Sequence, residues 1–129
     1  MISSPGVVRL SGGKARGSGR MPRYLRNKMK RIRNATAAGG NQGISGSVSP
    51  EDAMRLGQEF VGPGARVMSH GGGLVSADGL RQFRFPSSKR GINPMTGTPF
   101  SKTGVQVNFE SRSVASGRWT SNVHLDVEL

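Results

Sequence analysis

Cysteine is absent from the 129 residues, so no disulfide can staple the fold and no thiolate can serve as nucleophile or metal ligand. Long apolar runs are absent too. The longest are a few residues, against the roughly 20 a membrane-spanning helix needs, and Val7-Val8 is too short for the apolar stretch of a signal peptide. No membrane anchor is therefore expected. Histidine is scarce, with His70 and His124 the only imidazoles. The most informative absence is of negative charge at one end. The first fifty residues contain no Asp or Glu but carry ten Lys/Arg, whereas residues 51–129 hold nine Lys/Arg against all seven acids.

A segment with that much like charge and so little apolar area cannot offset the entropy of ordering itself. A polyanion would neutralise it, and nucleic acid is the commonest. The sequence thus reads as a basic Gly/Ser/Arg-rich arm over 1–48 and a small, nearly charge-balanced domain over 49–129, expected to stay folded if the arm is deleted. Within the arm, residues 1–21 read as flexible coil. Over 22–38, Pro22 suits a first helical turn, and Tyr24, Leu25, Met29 and Ile32 recur near the 3.6-residue period. A short basic helix and a solvated tail both remain open there. Residues 41–48 read as a second Gly/Ser linker.

The clearest helix start is Ser49-Pro50-Glu51-Asp52, a cap, a first-turn proline and two acids at the positive end of the dipole. Ala53, Leu56 and Phe60 supply its apolar stripe, and Gly62-Pro63-Gly64 its stop. Thereafter the period drops to two. Strands are expected at 66–69, 74–76, 80–85, 105–110 and 123–129, with Asp78-Gly79 a turn and 86–102 a long loop. The last two strands alternate cleanly, as half-buried strands of an antiparallel sheet with one wet face do. Twenty glycines imply many turns.

Three blocks are familiar: Ser76-Ala77-Asp78-Gly79-Leu80-Arg81-Gln82-Phe83-Arg84-Phe85-Pro86-Ser87, Val105-Gln106-Val107-Asn108-Phe109-Glu110, and Trp119-Thr120-Ser121-Asn122-Val123-His124-Leu125-Asp126. In this order they resemble the C-terminal toxin domains of bacterial polymorphic toxins on Rhs or filamentous-haemagglutinin-like carriers, in particular polymorphic toxin type 17. The resemblance spans about residues 64–129. The stretch from Arg90 to Lys102 is longer than the link the family has between its Phe-Pro-Ser and Asn-Phe-Glu blocks. The resemblance implies an α+β fold: short helices followed by a small antiparallel sheet of about four strands, similar to the barnase, EndoU, colicin D and RelE ribonuclease architecture. It further implies a ribonuclease carried by a larger secreted protein, delivered into the cytoplasm of target bacteria and neutralised by an acidic immunity protein, with Met1 opening a fragment of the carrier. RNA is the implied substrate, transfer RNA among the candidates.

Metal-independent RNA cleavage needs a base for the 2′-hydroxyl, an acid for the 5′-oxygen and cations for the phosphorane. His124 falls on the polar face of the last strand. Glu110 shares a face with Asn108 and Gln106, and Arg84 shares one with Gln82. His124, Glu110 and Arg84 are the candidate catalytic set. Ser87, Ser88, Lys89, Arg112, Asn108 and Trp119 are candidates for phosphate contact and base stacking. His70 before three glycines reads as a turn residue. Asp126 and Glu128 lie two apart on one face, but no cluster at ligand spacing accompanies them, so neither metal nor cofactor is expected. Two other functions stay open: a non-catalytic nucleic-acid binder, and an ADP-ribosyltransferase using Arg66, Ser76 and Glu110.

Overall fold

A computed structural model describes residues 20–129, so the coil expected over 1–21 lies, as far as Gly19, outside the described residues. The helix start at Ser49 is built as its residues require. Ser49 Oγ accepts from the Asp52 N–H at 3.1 Å, Pro50 opens helix α2 (Pro50–Val61), and Gly62 closes it at φ 75°. Its buried stripe of Ala53, Leu56 and Phe60 packs on a sheet. Gly57 lies so close to the Phe83 ring that a Cβ there would collide with it.

The basic stretch also folds, as helix α1 (Arg23–Ala38), whose Leu25, Met29, Ile32 and Ala35 are buried in the same core as α2. Burying each of the larger three stabilises the molecule by about 1.5–3 kcal/mol. Tyr24, expected on the apolar stripe, instead lies on the surface and donates to Asp52 at 2.7 Å.

Eight strands follow the chain order β1 (Gly40–Val48), β2 (Arg66–Val67), β3 (Gly73–Val75), β4 (Arg81–Ser88), β5 (Ile92–Asn93), β6 (Thr98–Pro99), β7 (Val105–Ser111) and β8 (Ser121–Val127). Six form one sheet in the order β1-β8-β7-β4-β3-β2, and β5-β6 is a separate two-stranded hairpin. All pairings are antiparallel except β1 with β8, which is parallel. Phe83, Val107, Phe109, Val123, Leu125 and Val127 face the helices and are fully buried. Three Phe rings stack edge to tilted across α2 and the sheet, Phe60–Phe109 at 5.4 Å and Phe83–Phe109 at 5.2 Å.

The α+β class holds, but the sheet is mixed and six-stranded rather than an antiparallel sheet of four. The main correction is residues 41–48, read as linker, which belong to β1 (Gly40–Val48). Gly40, Gly43 and Gly46 with Ser45 and Ser47 give them no strand pattern of their own. They become an edge strand because α1 delivers them beside β8, and because Gln42 Nε2 donates to the carbonyls of Ala35 and Gly39 at the end of α1. The expected division between 48 and 49 therefore runs through one core. The long loop expected over 86–102 is also shorter, since β4 continues through a bulge at Phe85-Pro86 to Ser88 and the β5-β6 hairpin orders the rest. A proline without a donor fits such a bulge. Among the described residues no helix is long and apolar enough to cross a membrane.

Candidate active site

Both helices pack on one face of the sheet, and period-two alternation places the polar residues on the other. The pairing registers lay them out in rows. One row runs Gly73, Arg84, Asn108, His124, Gly43 from β3 to β1. The next runs Val75, Gln82, Glu110, Asn122, Asn41. A third, beyond the bulges, runs Ser87, Gln106, Asp126, Ser47. The expected set of His124, Glu110 and Arg84 thus shares the open face. Glu110 and His124 are diagonal rather than opposite, a spacing of about 7–8 Å between Cα atoms, and Asn108 is the direct partner of His124.

Glu110 is the anchor. Its side chain is 10% exposed and accepts from Arg84 Nε at 3.1 Å and from Gln82 Nε2 at 2.5 Å. Arg84 is 46% exposed, so the pair sinks its carboxylate and presents its guanidinium to solvent. A buried carboxylate needs such partners, and the guanidinium it fixes is aimed outward, toward any anion on the face. Asn108 Nδ2 donates to Asn122 Oδ1 at 2.8 Å, which sets its orientation between the two rows.

His124 is half-buried, and burial is the main cause that pushes its imidazole below the ordinary value of 6.5. Asp126 opposes the shift and Lys89 adds to it. The ring is therefore neutral near pH 7 and able to accept a proton. It lies against Gly43, where a Cβ would stand 3.0 Å from Nε2 and 3.3 Å from Cδ2. Gly43 has no such atom, and the ring fills the space.

The segment after β4 walls one end of the face. Asp126 accepts from Ser101 Oγ at 2.7 Å, Gln106 Nε2 at 3.1 Å and the Lys102 N–H at 3.3 Å, pinning 101–102 to the sheet. Lys89 sits over the Phe100 ring, 5.0 Å from its centroid. Ser87 lies on the open face in the row of Gln106, whereas Ser88 pairs with Val105 and takes the opposite parity; both are exposed. Glu128 accepts from Ser47 at 2.7 Å, so Asp126 and Glu128 each bind their own neighbours. Among the described residues no three His, Cys, Asp or Glu cluster as a metal site would need.

Arg112 and Trp119 are not brought to His124. The guanidinium donates to the carbonyls of Gly79 and Gly117 at 2.8 and 2.9 Å and lies 4.0 Å from the Trp119 ring centroid, clamping the 112–120 loop to the β3-β4 turn. His70 accepts from the Gly72 N–H in an exposed turn. Ser76 is buried in the β3-β4 turn, where its hydroxyl donates to Asp78 and accepts from the Arg81 N–H, so it does not join Arg66 and Glu110, which lie in one row through Val75 and Gln82. Sequence reasoning missed Gln82 as a partner of Glu110, though its parity with Arg84 was the available signal. It could not find Gly43, because nothing in 40–48 announces a strand. Comparison with protein families, curated proteins and solved structures returned no match to this chain.

Proposed function

We propose that the open face of the sheet cleaves RNA by metal-independent transesterification. The observation that carries the proposal is the row Arg84–Asn108–His124 beside a buried Glu110. It sets a neutral imidazole and an outward guanidinium on one surface wide enough for a nucleotide strand. His124 accepts the proton of a ribose 2′-hydroxyl, and the 2′-oxygen bonds to the adjacent phosphorus. Arg84, held by Glu110, and Lys89 offset the charge gathering on the equatorial oxygens. The bond to the 5′-oxygen breaks, that oxygen takes a proton from water, and a 2′,3′-cyclic phosphate and a 5′-hydroxyl result. Glu110 acts by positioning Arg84, and Asn108 donates to a phosphate or base once it lets go of Asn122.

Two helices backing a sheet whose far face is polar support the proposed likeness to the barnase, EndoU, colicin D and RelE ribonucleases. With the sequence blocks that resemble type 17 toxins, this reading makes the chain a toxin domain of a secreted carrier, acting in competing bacteria and held in check by an acidic immunity protein. The non-catalytic alternative draws on the six Lys/Arg of α1, which explain binding without chemistry.

The test is cleavage of a mixed RNA in excess EDTA. Cyclic-phosphate ends from the parent, and at least a 10²-fold slower rate from His124→Ala, the usual size of a general-base contribution, are expected. Intact RNA under all conditions favours the binder, and cleavage that needs added magnesium or zinc replaces this mechanism with metal-assisted hydrolysis.

A further inference from the structure

The charge on α1 exceeds what its contacts inside the molecule neutralise. Six Lys/Arg and no acid occupy its sixteen residues, so like charges repel at helical neighbour spacing. Arg23 and Arg26 stand in the first turn, where the helix dipole disfavours cations, and no side chain caps that end. Among the described residues Arg33 finds one carboxylate, Glu59 at 3.8 Å, while Arg23 and Lys30 make no hydrogen bond or ion pair. Arg23, Arg26, Lys30 and Arg33 fall within one side of the helical wheel, opposite the buried stripe, and all are exposed. Arg26 donates to the Met21 carbonyl at 2.7 Å and Arg33 meets Glu59, but one carboxylate among six cations leaves most of the charge unneutralised, which points to an anion outside the molecule.

That surface is connected to the candidate site by the edge of the sheet. Lys28 Nζ donates to the Ser45 carbonyl at 3.1 Å and Arg31 to Ser45 Oγ at 2.7 Å, which seats both cations on the β1 bulge at Ser45-Gly46. Two residues back along β1, Gly43 underlies His124. β1 is an edge strand in which Gly43 and Ser45 are small and the Ile44 between them packs against the core, paired with Leu125.

We infer that an RNA strand cleaved at His124 continues across the β1 edge, past Lys28 and Arg31, onto the outer face of α1, which binds its phosphates without regard to sequence. The inference rests on the proposed RNA cleavage and deepens it by naming the substrate class: a strand long enough to turn the edge of the sheet. A dinucleotide fills the site alone. The phosphate backbone is favoured over an acidic protein because the cations run as a ribbon about 15 Å long from Arg23 to Arg33 rather than as a patch.

The experiment compares Arg23→Glu/Lys30→Glu with the parent on a dinucleotide and on a single-stranded RNA of about 16 nucleotides, the upper end of single-strand site sizes. Anisotropy across a salt series reports binding to the longer RNA, and kcat and KM are measured on both. Thermal unfolding checks that the outward substitutions leave the fold intact. Expected are about tenfold weaker binding of the longer RNA, a salt slope smaller by about 1.4 for two lost contacts, an unchanged kcat, and unchanged kcat/KM on the dinucleotide. Equal loss on both substrates, or none on either, overturns the inference while leaving RNA cleavage standing. If the parent binds the longer RNA through α1 but cleaves neither substrate, the surface stands as an RNA-binding face and the catalytic reading fails. A parent that binds no RNA, with α1 capturing only an acidic protein, overturns both.

Discussion

Gly43→Ala perturbs the candidate site without deleting any group from it. The glycine lies in β1 outside the left-handed region, so alanine suits its backbone, and removing a glycine there lowers the entropy of the unfolded chain by about 0.4–1 kcal/mol in favour of folding. The added Cβ would stand 3.0 Å from His124 Nε2. Ordinary contact begins at 3.4 Å, so the imidazole must withdraw by about 0.4 Å. If a misplacement of 1 Å costs about 10²-fold in rate, 0.4 Å costs about sixfold. Single-turnover cleavage of a labelled RNA at saturating protein reads that loss without contributions from affinity, and a thermal melt reads stability. The expected result is a slower enzyme that melts no lower than the parent. Parent-level cleavage by the variant, with the imidazole shown by NMR to have moved, would refute the claim that the position of His124 limits the rate.

Arg84→Ala should lose both rate and RNA affinity, since a cation on phosphate acts in the ground state and more strongly in the transition state. Glu110→Gln should lose rate by about 10²-fold with little loss of affinity, and destabilise by only about 1 kcal/mol because Arg84 is half exposed; kinetics and melts of the two variants check this. Depression of the His124 pKa has two consequences, read by a rate profile and by stability against pH. The acid limb of the rate should lie below the ordinary imidazole value of 6.5. The stability contribution is intact above that value and is lost as pH falls from it to the folded pKa, because only the unfolded chain binds the proton in that window. Ile32 is fully buried, so Ile32→Ala should cost about 2–5 kcal/mol in denaturant unfolding, and a chain reduced to 49–129 should not fold. Circular dichroism showing that shortened chain folded would return α1 and β1 to the status of an arm.

What the sequence made legible follows from where local chemistry decides. Ser49-Pro50-Glu51-Asp52 and Gly62-Pro63 hold their own capping groups, so α2 could be bounded to the residue. Val105 to Glu110 and Val123 to Asp126 alternate strictly, which sufficed to put Glu110 on one face and His124 on another strand's polar face. Arg84 followed by the same parity. β1 was illegible because its order comes from elsewhere: the backbone of β8, the hydrogen bonds of Gln42 and the seating of α1. With β1 went Gly43 and the edge that links the imidazole to the helix. The contact between Arg112 and Trp119 was illegible for a related reason. An arginine and a tryptophan near the end of a strand are equally suited to a nucleic acid or to each other, and only the folded 112–120 loop shows that they take each other.

The central claim is that the imidazole of His124 performs the proton transfer. His124→Gly leaves a gap beside Gly43 that free imidazole can enter, and the measurement is RNA cleavage by this variant as imidazole is added in EDTA. The expected rate is at least 10²-fold below the parent, restored in a saturable manner by imidazole, with cyclic-phosphate ends and no cleavage where the 2′-hydroxyl is replaced by hydrogen. Cleavage by His124→Gly at the parent's rate without imidazole would contradict it.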